Sequence, residues 1–147
     1  MPNRGSIQFV GGTSYISDGT NWFPLSPVIK TGSFATAADA TDKVFFTADR
    51  PYLIVNIAAS HDNPANAETT LDIKKVVGDQ AIADAASVII ENFDLACKSG
   101  CKLESGIGLT NVENDLYLAI GDKLAFKFTG NATGLTGGTV SAMLIPM

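Results

Sequence analysis

Apolar and polar residues alternate near the carboxyl end of the chain, and this pattern predicts antiparallel β-strands. Every second position is apolar in residues 116–120, 124–128 and 140–144. A side-chain period of two buries one face of a strand and leaves the other face in water. The Gly121-Asp122 step between the first two segments predicts a hairpin turn. This end of the chain is therefore expected to form strands that pack on a hydrophobic core.

The preceding segments carry the same signal, with turn residues between them. They are residues 43–47, 52–59, 69–77, 88–90, 93–97 and 101–109. The last two are expected to pair across residues 98–100, whereas residues 80–86 are rich in Ala but short, so helix and loop both remain open. About eight strands with frequent turn signals are typical of a sandwich or jelly roll. No segment has the long helical periodicity that a βαβ unit requires, so we predict an all-β fold, an antiparallel β-sandwich of jelly-roll type.

The first thirty residues differ from the rest and predict an N-terminal β-hairpin arm. Residues 6–10 and 14–17 flank a Gly turn, residues 18–21 form a second turn, and Pro24 and Pro27 bar a helix or a central strand. A hairpin of this size cannot form a core alone. We therefore predict an arm over residues 1–32, docked on the body or on a neighbouring subunit, and a sandwich domain over residues 33–147.

Three aromatic residues of the arm, Tyr15, Trp22 and Phe23, are the predicted interaction surface. Aromatic side chains are enriched at the centres of protein interfaces. The alternative is that they cover an open end of the sandwich in the same subunit, and the sequence leaves both possibilities open.

Charge and composition narrow the class of partner. Charged residues make up 17% of the chain, so much of the surface must be Thr, Ser, Asn, Gly and Ala. Such surfaces suit burial against partners, although ordinary polar β-surfaces look the same. The net charge of −5 argues against a nucleic-acid partner. The N-terminus lacks the apolar core of a secretory signal, and no apolar run could span a bilayer, so we expect synthesis in the cytoplasm and no membrane partner.

The residues that could carry catalysis do not form a convincing site. Ser60, His61 and Asp62 supply the three residue types of a hydrolase triad. In a triad, however, the imidazole contacts both partners through different ring nitrogens, which consecutive side chains rarely achieve. His61 is the only histidine. We therefore predict a polar loop and no enzyme.

Cys97 and Cys101 are candidates for a disulfide. Together with one histidine they are too few for a zinc site. A hairpin around residues 98–100 could bring them within disulfide range, whereas a reducing cytoplasm favours free thiols, so both states remain open.

Other polar segments are expected to be loops, and no cofactor or metal is predicted. The oxygens of Asp62, Asn63, Asn66 and Glu68 do not have the spacing of a calcium loop. The glycosylation sequon Asn131-Ala132-Thr133 is expected to be a turn. Residues 133–139 lack the lysine and the following helix of a phosphate-binding loop.

Four motifs, taken in order, resemble a family of small virion proteins from tailed bacteriophages. They are Asp49-Arg50-Pro51-Tyr52, Leu71-Asp72-Ile73-Lys74-Lys75, the segment 116–124 with its Gly121-Asp122 step, and Thr136-Gly137-Gly138-Thr139. The resemblance covers roughly two-thirds of the chain. It implies a capsid-decoration or cement protein, usually a trimer, that binds the major capsid protein on the virion surface. The alternative is a carbohydrate- or receptor-binding module of a phage fibre or capsid surface, because jelly rolls often bind sugars on exposed aromatic residues.

Overall fold

The computed structural model describes residues 3–11, 13–24, 26–96, 110 and 112–147. Within these residues the regular secondary structure is almost all β-strand. The strands are β1 (Ile7–Val10), β2 (Thr13–Ser17), β3 (Trp22–Pro24), β4 (Val28–Thr36), β5 (Lys43–Thr47), β6 (Tyr52–Ser60), β7 (Thr69–Val76), β8 (Ser87–Asp94), β9 (Tyr117–Leu118), β10 (Lys123–Gly130) and β11 (Thr136–Pro146). The described ranges contain three short helices: two 3-10 helices, Ala37–Asp39 and Ile82–Asp84, and one α-helix, α1 (Glu113–Leu116). No helix in the described ranges is long and apolar enough to cross a membrane.

The strands form three antiparallel sheets. The arm is a three-stranded sheet in the order β1-β2-β3, and the body consists of two four-stranded sheets in the orders β4-β11-β6-β9 and β5-β10-β7-β8. We call the first body sheet the β11 sheet and the second the β10 sheet. The predicted all-β sandwich is confirmed.

The strand order of the body is that of a jelly roll. The eight strands β4 to β11 pair first with last, second with seventh, third with sixth and fourth with fifth: β4 with β11, β5 with β10, β6 with β9 and β7 with β8. This is the pairing of one long antiparallel hairpin whose two halves are rolled up together so that they form two sheets. Chain segments that are distant in sequence therefore lie side by side.

Aromatic side chains fill the space between the two body sheets. Phe34 on β4 is fully buried and packs edge-on against Phe126 and Phe128 of β10, with ring centroids 5.6 and 5.1 Å apart. Phe45 stacks on Phe126 at 4.6 Å. Edge-on and offset aromatic pairs add to the free energy gained from burial alone. The alternating positions predicted in residues 124–128 and 140–144 are the ones that face this core.

The predicted hairpin at Gly121-Asp122 is wrong. Residues 117–118 form β9, which pairs with β6 in the β11 sheet, whereas β10 pairs with β5 and β7 in the other sheet. The Gly121-Asp122 step therefore carries the chain from one sheet to the other, and Leu116 ends a helical turn instead of opening a strand. Alternation correctly gives the buried face of β10 and β11 but does not specify their neighbours, and it fails at Ile120, which lies outside any strand and is 70% exposed.

Two other boundaries differ from the sequence prediction. The division between residues 32 and 33 falls inside β4, which pairs with β11 from Val28 onward, so residues 28–32 belong to the sandwich. Residues 88–90 and 93–97 were expected as separate strands, but β8 is continuous through Asp94. Its pairing with β7 has two irregularities, and one of them is at Asn92, which has a positive φ of 58° and whose N–H donates to Asp72 Oδ1 at 2.8 Å. A side-chain acceptor on the neighbouring strand thus replaces a sheet hydrogen bond.

The ambiguous segment 80–86 contains the 3-10 helix Ile82–Asp84. Ile82 and Ala85 pack on Val76 and Ala125, which face outward from the β10 sheet. This short helix therefore covers part of the outer surface of that sheet. The predicted partner strand at residues 101–109 lies outside the described residues, and so does Cys97 at the end of segment 93–97.

Candidate interaction surfaces

The arm docks on one end of the β11 sheet. Ile16 of β2 is only 5% exposed. It lines a cavity of about 60 Å³ together with Leu53, Tyr117 and Met147. The Arg4 guanidinium lies over the Tyr117 ring, 4.8 Å from its centroid. A cation above an aromatic face is attracted by the quadrupole of the ring. The body of the same chain thus holds the base of the arm.

A wider cleft opens beside this contact. Its volume is about 440 Å³, and it is lined by Arg4, Asp18, Phe23, Pro51, Tyr117 and Met147. Asp18 also shapes the second turn of the arm, because its Oδ1 accepts hydrogen bonds from the backbone N–H groups of Thr20 and Asn21, both at 2.7 Å. Those two bonds, the one from Asn21 first, lower the pKa of Asp18.

The three aromatic residues predicted as an interface lie on two faces of the arm. Paired residues of an antiparallel sheet point to the same side. Ile16 pairs with Phe23, which places Phe23 on the face that meets the body, whereas Trp22 pairs with Ser17 and shares the opposite face with Tyr15. All three side chains are half-buried. Only Tyr15 and Trp22 therefore form one surface.

The face that carries Phe23 continues onto β1, where it is exposed. Ile7 pairs with Ile16, and Phe9 points to the same side as Ile7. Ile7 is 66% exposed and Phe9 is 72% exposed. We call these two residues the apolar strip. Because β1 is an edge strand, the strip lies where a neighbouring chain can reach it.

A second surface without charge lies on the outer side of the β11 sheet. The sheet register aligns three rows that point away from the core: Ile29–Met143–Asn56, Thr31–Ser141–Ala58 and Ser33–Thr139–Ser60. We call these nine residues the neutral face. The next row towards the arm contains Leu53, Ile145 and Tyr117, so the docked arm and the neutral face are neighbours.

The outer side of the β10 sheet has the opposite character. Its outward positions include five charged residues, namely Asp72, Lys74, Asp94, Lys123 and Lys127. Lys127 pairs with Asp42 at 2.9 Å. Charge is depleted at the centres of interfaces and common on solvated surfaces. The contrast between the two outer sides therefore marks the neutral face as the candidate contact surface.

The residues of the hydrolase triad are not assembled. Both ring nitrogens of His61 are buried and have no hydrogen-bond partner among the described residues, so neither is bonded to Ser60 or Asp62. The ring lies against Phe93, with centroids 6.5 Å apart. Ser60 and Asp62 are exposed. In this loop the imidazole acts as a packing group.

His61→Leu is expected to raise the free energy of unfolding by about 0.5–1 kcal/mol, because a buried polar atom without a partner costs roughly 1–3 kcal/mol. The measurement is urea-induced unfolding, with the neighbouring exposed Ser60→Ala as a control that should change little. A loss of more than about 1 kcal/mol would contradict this account of His61.

The oxygen-rich loop at residues 62–68 supports the chain that leads into β11. Asn63 Nδ2 donates to Thr136 Oγ1 at 2.7 Å. Asp62 and Asn66 lie so close to Gly137 and Gly134 that a Cβ at either glycine would collide with them, and both glycines have positive φ. These polar groups therefore serve separate contacts. No cluster of three metal-ligating side chains occurs in the part of the chain that the structure describes.

Two further predictions concern the glycosylation sequon and the pair of cysteines. Asn131 Oδ1 accepts hydrogen bonds from the N–H of Thr133 at 3.0 Å and from its hydroxyl at 2.6 Å, which confirms the predicted turn at the sequon. Cys97 and Cys101 lie outside the described residues, so the disulfide stays a prediction.

The residues that carry the phage resemblance hold the body together. The Tyr52 hydroxyl donates to Asp49 Oδ1 at 2.6 Å. That bond is the main cause of a lowered pKa at Asp49 and a raised pKa at Tyr52. Lys75 and Asp122, from two other motifs, form an ion pair at 3.7 Å. Sequence analysis missed this pair, because nothing in either motif indicates the other.

Comparison with known proteins identifies no related protein. No protein-family model, no curated protein and no solved structure matches the chain. The family resemblance drawn from the motifs therefore stays an expectation.

Proposed function

We propose that this protein is a structural virion protein that decorates or cements a phage capsid, as a homotrimer bound across neighbouring subunits of the major capsid protein. The observation that carries the proposal is a jelly roll that presents uncharged surface on the neutral face of one outer side and on the apolar strip of the arm. Jelly rolls are common in viral shells. Such a protein acts by adhesion, so its requirement is surface that can be buried against neighbours.

Multivalent attachment explains how an adhesive protein can work without any single strong contact. Several weak contacts that are engaged together hold a molecule far more tightly than one of them does. A decoration trimer would meet several capsid subunits at once. The net charge of −5 is consistent with a protein partner and not with packaged nucleic acid.

Capsids that lack this protein are expected to be less resistant to heat and to low salt than capsids that carry it, so they should lose their integrity at a lower temperature and, as salt is reduced, at a higher salt concentration. The measurement is release of packaged DNA on heating, followed with a dye that is excluded from intact particles. Adding back the purified protein should restore the resistance. Equal resistance with and without the protein, together with failure to co-sediment with capsids, would contradict the proposal.

The second candidate is a carbohydrate- or receptor-binding module. It is favoured by the half-buried Tyr15 and Trp22 on one face of the arm, since sugars stack on accessible aromatic rings. Glycan binding that disappears in Trp22→Ala, with no binding to capsids, would favour this candidate over the first.

A further inference from the structure

The arm and the body enclose a cleft that neither the apolar strip nor the neutral face includes. Its volume of about 440 Å³ lies within the range of small-molecule sites, which commonly measure about 300–1,000 Å³. The arm contributes Arg4, Asp18 and Phe23 to its lining, and the body contributes Pro51, Tyr117 and Met147. The cleft is therefore a separate candidate site.

We propose that this cleft binds a neutral saccharide, with Arg4 and Asp18 bonded to its hydroxyl groups and Phe23 against its ring. Phe23 lies on the opposite face of the arm from Tyr15 and Trp22, so the site is distinct from the aromatic surface that favours the second candidate function. Saccharide binding in the cleft goes beyond adhesion to a capsid and does not depend on it.

Two opposite charges face the cleft without neutralising each other. Both ion pairs of the described residues are formed by lysines, so Arg4 and Asp18 are not paired. The backbone hydrogen bond from Asn21, with that from Thr20, lowers the pKa of Asp18, so its carboxylate is ionised at neutral pH. An anionic ligand would meet the carboxylate, and a cationic ligand would meet the guanidinium. A neutral ligand avoids both repulsions, and each hydroxyl of a sugar can donate to one group and accept from the other.

A zwitterionic amino acid also carries both charges, but the exposure of the cleft disfavours it. Arg4 is exposed, and ion pairs in contact with water contribute little. A sugar instead gains from the apolar part of the lining, which consists of Phe23, Pro51 and Met147. The C–H face of a sugar ring is apolar and packs on an aromatic ring. Polar groups beside an apolar wall therefore match a saccharide better than a small charged molecule.

Both charged groups keep hydrogen-bonding capacity for a ligand. A carboxylate has about four acceptor positions, and the backbone N–H groups of Thr20 and Asn21 occupy two of them on Asp18. The Arg4 guanidinium lies 4.8 Å from the centroid of the Tyr117 ring. The ring attracts the cation but is a weak acceptor, so the N–H donors of the guanidinium can still bind a hydroxyl oxygen.

The backbone of the arm holds these two groups in place. The Gly5 N–H, directly after Arg4, donates to the Ser17 carbonyl oxygen at 2.8 Å. The Gly19 N–H, directly after Asp18, donates to Ser17 Oγ at 2.9 Å. Ser17 itself is fully buried. Both charged residues are thus tied to one buried residue before a ligand arrives, and a site that is ordered in advance loses less entropy on binding.

The test is saturation-transfer NMR on the purified wild-type protein, without capsids, with glucose, galactose, mannose, rhamnose and N-acetylglucosamine as probes. At least one of these sugars is expected to bind, and isothermal titration calorimetry then gives its affinity. Phe23→Leu should weaken binding roughly tenfold, because the ring on which the sugar packs is lost. Trp22→Leu is the matched control: it replaces the neighbouring aromatic residue, on the other face of the arm, and should leave the affinity unchanged.

A second variant tests the polar contacts. Asp18→Asn keeps an oxygen that can accept the hydrogen bonds of the turn but removes the charge of the acceptor, so it should also weaken binding roughly tenfold. Circular dichroism shows whether each variant is folded. If Asp18→Asn is not, Arg4→Lys replaces it, since lysine keeps the charge and loses the planar set of donors.

Three results would overturn the inference: no binding of any sugar, tighter binding of glycine or inorganic phosphate than of every sugar, and equal losses in Trp22→Leu and Phe23→Leu. Co-sedimentation with capsids is measured separately. A protein that binds capsids and no sugar overturns this inference and leaves the proposed function standing. A protein that binds a sugar in the cleft and does not co-sediment with capsids contradicts the proposed capsid role and leaves the saccharide site standing.

Discussion

Lys75→Met is expected to lower the free energy of unfolding by about 3 kcal/mol, the lower end of the cost of breaking a buried ion pair. The side chains of Lys75 and Asp122 are 11% and 9% exposed. Lys75 Nζ also donates to the carbonyl oxygens of Asn114 and Tyr117, at 3.0 and 2.7 Å. Methionine preserves the length of the side chain but leaves a buried carboxylate and two carbonyls without this donor.

The position of Lys75 explains why the effect should be large. Lys75 lies on β7 of the β10 sheet, whereas Tyr117 belongs to β9 of the β11 sheet and Asn114 to α1, which precedes β9. Asp122 belongs to the crossing between the sheets, and its Oδ2 accepts a hydrogen bond from the N–H of Ala119 at 2.9 Å. One ammonium group thus fixes the crossing at this end of the jelly roll.

Thermal and urea unfolding measure the effect, and a loss of about 3 kcal/mol corresponds to roughly 6–12 °C in Tm for a chain of this size. Lys74→Met is the matched control. Its side chain points outward and, among the described residues, its one hydrogen bond is a 3.5 Å contact with the Ala83 carbonyl, so its loss should stay below about 1 kcal/mol. If the two lysine variants unfold alike, the crossing does not depend on the ion pair.

The pattern of residues predicted the strands of the body but not their partners. Alternation in residues 124–128 places Phe126 in the core, because a period of two has only two faces to choose between. It does not say that β10 lies between β5 and β7. In a jelly roll those pairings join segments that are distant in sequence. The assumption that neighbours in sequence pair with each other produced the wrong hairpin at Gly121-Asp122.

The candidate surfaces were predictable only in part for the same reason. The low fraction of charged residues indicated uncharged surface somewhere on the molecule. That Thr31, Ser141 and Ala58 form one row follows only from the register of three strands. The arm was easier to predict, because the paired strands of its hairpin are consecutive in sequence. Even there, the sequence prediction treated Trp22 and Phe23 as one surface. Adjacent residues of a strand point to opposite faces, so their separation could have been predicted.

Gly138→Ala is expected to lower the free energy of unfolding by about 3 kcal/mol, the upper part of the usual cost of overpacking a core. Gly138 lies on β11 opposite Phe34 of β4, and a Cβ at this position would collide with the Phe34 ring. That ring cannot move aside easily, since it is fully buried between Phe126 and Phe128.

A double variant separates this steric explanation from a general weakening of β11. Phe34→Leu alone should also destabilise the protein, because it removes part of a buried aromatic group. It also removes the ring atoms with which the new methyl group collides, so Gly138→Ala should cost much less in the Phe34→Leu background, a coupling of roughly 1–2 kcal/mol. Ser141→Ala, on the outward side of the same strand, should change stability by no more than about 0.5 kcal/mol. Additive losses at positions 34 and 138 would mean that the ring does not determine the requirement for glycine at this point of the closing motif.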